Sequence, residues 1–322
     1  MNEILLSNQV IIYLLSESTL FFLLAIAFIV SIRILLQWDF ESFNPIQFTL
    51  EKQSYLVTTI TLFVFAMKFF LLIYFVFTID ALALLIPGAM CGAGVITANE
   101  YGTPLLVLKL SLLALLILWF YMHAYDNRTK NHLYFKQKSW LFLVIFFFIV
   151  LELFLDFQYF LAIDTHLPVS CCSALFGQLE GANPLPFGLN ISLLLILFYL
   201  LYFLVMLTLN LNYKLLYIFS NILFLYIAYY SVVYFFGTYI YQLPTHKCPF
   251  CMLQSDYFYV GYFLWASLFL GTFIGISDAL SSLWVKKTNL KHQKTVSYLL
   301  SLFVLLCTVY IAVYYLNNGV LL

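Results

Sequence analysis

Long apolar runs separated by short polar breaks dominate the chain from end to end. A helix needs about 20 mostly apolar residues to cross a hydrocarbon core of roughly 30 Å. Eight runs reach that length, near residues 10–36, 54–79, 105–125, 139–162, 188–212, 214–242, 257–284 and 296–316. Strands of a membrane barrel would be about 10 residues long and would alternate polar with apolar positions. These runs do not alternate, so the pattern predicts an all-α polytopic membrane protein. A single transmembrane domain over residues 1–322, with no soluble domain, is expected. Spans five and six meet at Asn210-Leu211-Asn212-Tyr213-Lys214, a break that reads as a tight helical hairpin.

Composition agrees. Hydrophobic residues make up 65% of the 322 and charged residues 9%, against about 45–50% and 25% in a soluble domain. A net charge of zero leaves no basic stripe for nucleic acid, and so apolar a chain is not disordered. No nucleotide-binding or protease signature is present, so ATP-driven work would fall to another membrane subunit. The run Phe146-Phe147-Phe148 is expected to face lipid, since aromatic residues gather at membrane boundaries.

Charge matters through its placement. Eleven of the 14 Lys and Arg fall in or beside the odd-numbered connections, among them Arg33, Lys52, Arg128, Lys138, Lys214 and Lys294. Basic residues mark the cytoplasmic side, which puts both termini outside, in what reads as a bacterial inner membrane. The N-terminus lacks a basic stretch and a small-residue cleavage site, so no removable signal peptide is expected there.

Five of the six cysteines fall in the connections expected outside. Cys91 follows Pro87-Gly88-Ala89-Met90, Cys171 and Cys172 are adjacent, and Cys248-Pro249-Phe250-Cys251 precedes span seven. Thiols that face an oxidising compartment pair, react or bind metal. Two intervening residues let Cys248 and Cys251 meet, and a helix start there would favour the first thiolate. Adjacent cysteines bond only through a strained ring. Pairing Cys91 with one of them leaves an odd thiol, suited to exchange or to a metal.

The segment Cys248-Pro249-Phe250-Cys251-Met252-Leu253 resembles the redox centre of bacterial vitamin K epoxide reductase homologues, and is similar to the outer-face pair of the DsbB family. The resemblance is local to this segment. It implies that electrons pass from thiols through the CxxC to a quinone. It also implies that further loop cysteines, here Cys91, Cys171 and Cys172, exchange with the CxxC or with an extracytoplasmic thioredoxin-like protein. Cys248 would be the exposed attacking thiol and Cys251 its resolving partner. Phe250, Tyr257, Tyr259 and Tyr262 are the aromatics at hand for a quinone. Two other readings stay open. Cys91, Cys171, Cys172, Cys248, Cys251, His166 and His246, with Met90 and Met252, would suit a soft metal ion such as copper in a transport or metal-handling protein. Alternatively, the cysteines form structural disulfides in a non-catalytic membrane subunit.

Ionisable residues at membrane depth are candidates for function. Glu17, Lys68, Glu152 and Asp156 lie inside spans, and Lys109 lies one turn inside span three, towards the Cys91 connection. Lys68 and Glu152 are expected to form a structural pair. Glu152 and Asp156 share one helix face, so a proton route through Glu17, Lys68, Glu152 and Asp156 is the functional reading. Lys109 is a candidate quinone contact.

Overall fold

A computed structural model describes residues 3–38, 44–129, 134–169, 185, 188–285, 290 and 292–322. Every long apolar run is a helix, because in lipid a segment must satisfy its own backbone hydrogen bonds. The helices are α1 (Asn8–Gln37), α2 (Pro45–Leu82), α3 (Gly102–Asp126), α4 (Phe135–Leu161), α5 (Ile191–Asn210), α6 (Lys214–Tyr241), α7 (Val260–Trp284) and α8 (Gln293–Asn318). All eight are long and apolar enough to cross a membrane, and no strand occurs among the described residues. This is the build of an integral multi-pass membrane protein.

Local chemistry sets the helix ends. The Ser7 hydroxyl accepts from the Val10 amide at the start of α1, and Pro45 opens α2 where a missing N–H matters least. Gly319, at φ +71, closes α8 and donates its N–H to the Tyr315 carbonyl. The tight hairpin between α5 and α6 turns on Asn212, at φ 57, whose side chain accepts from Gln293 Nε2 at 2.7 Å. α2 and α6 differ from the sequence pattern. α2 starts at Pro45, nine residues before its expected apolar run, and carries the polar stretch Glu51-Lys52-Gln53-Ser54 in its second and third turns. α6 contains a wide π turn over Val232–Phe236, a local expansion often found at functional sites.

The chain groups into two compact units. The first comprises Met1–Leu85 and Ile96–Leu167, the second Ile86–Val95 and Pro168–Leu322. In the first unit each helix packs on its sequence neighbour and α1 closes the ring on α4. The second unit repeats that plan with α5, α6, α7 and α8. Its core is apolar and aromatic, with Phe198 in contact with Phe224, Phe236 and Phe303 at centroid distances of 5.7, 4.9 and 6.0 Å. Small residues let membrane helices approach closely. A Cβ on Gly271 of α7 would come within 2.7 Å of Leu300 on α8. In the first unit Phe147 and Phe148 are exposed as expected, but Phe146 is buried and stacks on Phe28 at 4.1 Å.

Candidate functional site

Three sulfurs converge in the second unit. The Sγ atoms of Cys91, Cys248 and Cys251 all lie within 4.8 Å of one another, and all three residues are buried. Cys91 and Cys248 are in contact, with their sulfurs 3.5 Å apart. A disulfide bond measures about 2.05 Å, so the two sulfurs are in contact and not bonded.

The Cys-Pro-Phe-Cys loop is pinned from several directions. The Tyr241 hydroxyl, at the end of α6, donates to the Cys248 carbonyl and accepts from the Met252 amide. The loop thus closes over one phenol. Trp265 of α7 donates its indole N–H to the Pro249 carbonyl at 3.1 Å, and the Phe250 amide donates to Cys248 Sγ at 3.4 Å. Met252 is wedged between two helices by two glycines. A Cβ on Gly261 would lie 2.5 Å from Met252 Cγ, and one on Gly237 would lie 3.7 Å from its terminal methyl.

The Cys91 connection is held just as locally. Gln254 Nε2 donates to the Met90 carbonyl at 3.2 Å, so the residue three past Cys251 grips the residue before Cys91. On the other side the Val169 amide donates to the Pro87 carbonyl at 2.9 Å. Gly88 lies at φ +81, and a Cβ there would come within 2.5 Å of the Val169 carbonyl oxygen. Only glycine fits.

Several expectations change here. The Cys-Pro-Phe-Cys loop does not open the seventh spanning helix. Cys251 begins a short 3-10 turn, Cys251–Leu253, and α7 starts only at Val260. Phe258 and Tyr259 adopt left-handed φ values of 54° and 55°, which break the chain between turn and helix. The helix-start effect on the first thiol therefore does not apply. Nor is Cys248 exposed, since it retains 2% of its surface.

Among the aromatics proposed for a quinone, Tyr257 packs edge-on against Tyr241 at 4.8 Å. Burial pushes its hydroxyl above the usual tyrosine range, with further contributions from Cys251, Asp256 and Cys248. Phe250 packs against the core of the same unit. Tyr259 and Tyr262 instead pair with each other at 6.4 Å. The His246 ring is buried against Tyr241 at 4.1 Å. His166 belongs to the first unit, where it is exposed and its amide donates to Asp164. Cys171 and Cys172 lie outside the described residues. Tyr241, Gln254 and Trp265 carry no motif that would have marked them in the sequence.

The ionisable residues of the first unit form their own buried network. Lys68 bridges Glu17 at 2.6 Å and Glu152 at 2.5 Å, so the expected Lys68–Glu152 pair is present. Lys109, expected as a cofactor contact, is committed to Glu152 at 2.8 Å and Asp156 at 3.0 Å. Tyr13, which the apolar pattern hides, joins them by accepting from Lys109 Nζ at 2.5 Å. All four helices of the unit contribute.

No protein-family model, curated protein or solved structure matches this chain. Fold and sites together define a multi-pass helical membrane protein with a buried thiol cluster and a buried ion network.

Proposed function

We propose that the protein is a membrane thiol–disulfide oxidoreductase, with Cys248 and Cys251 as its redox pair and Cys91 as the thiol that exchanges with them. The observation that supports this most is the 3.5 Å contact between Cys91 and Cys248, inside a cluster that also holds Cys251. In the oxidised protein Cys248 and Cys251 share a disulfide. Cys91, as a thiolate, attacks Cys248 Sγ, forms the Cys91–Cys248 bond and releases the Cys251 thiolate. That exchange moves no net electrons. The net reaction takes two electrons and two protons from a substrate dithiol, which becomes a disulfide, and delivers them to a quinone, which becomes a quinol.

The quinone rests on the resemblance of the Cys248–Leu253 segment to quinone-linked thiol oxidases. The distribution of Lys and Arg supports an extracytoplasmic face for the cluster, external termini and a bacterial inner membrane. Cys171 and Cys172 come shortly after Val169, which pairs with the Cys91 connection, and they serve as the thiols that exchange with a thioredoxin-like partner, from whose dithiol the electrons enter.

Redox titration with thiol trapping tests this reading. The Cys248 disulfide should open above roughly −300 mV and exchange with Cys91. A bond that stays closed below roughly −300 mV is structural and ends the oxidoreductase reading.

A second reading has its own support. Three thiolates around a soft ion with metal–sulfur bonds near 2.3 Å would stand about 4 Å apart, within the spread of the three sulfurs. Metal analysis of protein purified without chelators distinguishes the two. Stoichiometric copper that is lost in Cys91→Ser would favour metal handling.

A further inference from the structure

The network in the first unit does not balance its own charge. Glu17, Glu152 and Asp156 face Lys68 and Lys109, so full ionisation leaves one negative charge among residues that are each at most 7% exposed. An uncompensated buried charge is strongly unfavourable. Something positive must belong to this cluster.

The hydrogen bonds place it. Each lysine brings three N–H donors and a tyrosine brings one O–H. Lys68 directs donors to Glu17 Oε2 and Glu152 Oε2. Lys109 directs its three to Tyr13 Oη, Glu152 Oε1 and Asp156 Oδ2. The Tyr13 hydroxyl, however, faces two carboxyls at once, Glu17 Oε1 at 3.2 Å and Asp156 at 3.1 Å. Its single hydrogen serves one of them. The other oxygen then meets a Tyr13 lone pair at contact distance, which is repulsive unless that carboxyl carries a proton and donates it.

We infer that Glu17 and Asp156 share one exchangeable proton through Tyr13, making the first unit a proton-binding site. With the proton on Glu17, Glu17 donates to Tyr13 and Tyr13 donates to Asp156. Tyr13 Oη then accepts from both Glu17 and Lys109, which fills its two lone pairs. Moving the Glu17 proton onto Tyr13 while the Tyr13 hydrogen passes to Asp156 gives the mirror arrangement. No heavy atom needs to travel. In both forms two carboxylates balance two ammoniums, and no net charge is created.

A metal ion fits the same space poorly. The three carboxylates do lie within ligand distance of one another, but both ammoniums occupy their inner faces at 2.5–3.0 Å. A cavity of about 20 Å³ borders Glu17, Lys68, Lys109 and Glu152, enough for about one water molecule. Beyond Tyr13, Phe75 and Phe160 close the cluster with centroids 5.4 and 5.9 Å from its ring. This site is independent of the thiol chemistry and uses none of its residues.

Infrared spectroscopy of the full-length protein in detergent at neutral pH tests the inference. A protonated carboxyl has a C=O stretch well separated from that of an ionised carboxylate, and it shifts in D₂O. The wild type should show one such band. Asp156→Asn and Glu17→Gln should each abolish it, because either amide leaves two carboxylates facing two ammoniums. Asp126 and Asp278, the other buried carboxyls among the described residues, are unaffected by these changes and serve as internal controls. A folded wild type without the band, or a wild-type spectrum in this region that neither substitution diminishes, overturns the inference.

Discussion

Cys91 and Cys248 stand 157 positions apart in the chain and 3.5 Å apart at their sulfurs. Their bond, once formed, would close a loop that takes in α3, α4, α5 and α6. Protein acid-trapped during exchange, once Cys91 has attacked the Cys248–Cys251 disulfide, should therefore yield a disulfide-linked peptide pair containing Cys91 and Cys248, and Cys91→Ser should remove it. Cys307, buried in the core of the second unit, should resist alkylation under the same conditions. Mass spectrometry of trapped protein reads both, and a Cys91 that never cross-links counts against the exchange step.

Gly261→Ala places a methyl where Met252 Cγ already sits, 2.5 Å from the new carbon. Overpacking of this kind costs about 1–3 kcal/mol, and Met252 carries the Cys-Pro-Phe-Cys loop with it. A lowered Tm is expected together with faster alkylation of Cys251. A variant with unchanged Tm and unchanged thiol reactivity would show that the wedge does not hold the loop.

Tyr241→Phe deletes one hydroxyl that serves both the Cys248 carbonyl and the Met252 amide. Leaving a buried polar group without its partner costs about 1–3 kcal/mol. The loss should appear as loop opening, with Cys248 labelled more rapidly while the helical circular dichroism signal is retained. Equal labelling rates in wild type and variant would contradict this role.

Lys68→Met and Asp156→Asn should differ in severity although both touch one network. Removing Lys68 takes the ammonium from Glu17 and leaves Glu152 with Lys109 alone, and breaking a buried pair in this way costs about 3–5 kcal/mol. Asp156→Asn removes one carboxyl together with the shared proton, leaves two carboxylates facing two ammoniums, and should be much milder. Unfolding in denaturing detergent ranks the two, and the reverse order would refute the charge count.

Much of the fold is legible in the sequence because lipid imposes a length and an apolar composition on each span. The tight hairpin at Asn210–Lys214 and the Lys68–Glu152 pair can both be read there. The site is less legible. The approach of Cys91 to Cys248 depends on how Gln254 and Val169 hold a loop, and neither residue belongs to a motif. Lys109 looks close to Cys91 in sequence, but an ammonium within the bundle is drawn to the carboxylates of α4. The start of α7 at Val260 was hidden because aromatic residues at 257–259 are apolar enough to extend the pattern, although two of them turn left-handed.

The membership of Ile86–Val95 in the second unit makes that unit discontinuous in the chain, with a ten-residue piece emitted before α3 and the remainder after α4. During synthesis the piece bearing Cys91 is made long before the loop it must meet. Its sulfur must wait for α5 and α6 to be inserted. A gene fragment starting at Pro168 would encode Cys248 and Cys251 but lack their third sulfur. Such a half-protein should gain it only when the Cys91 segment is supplied in trans.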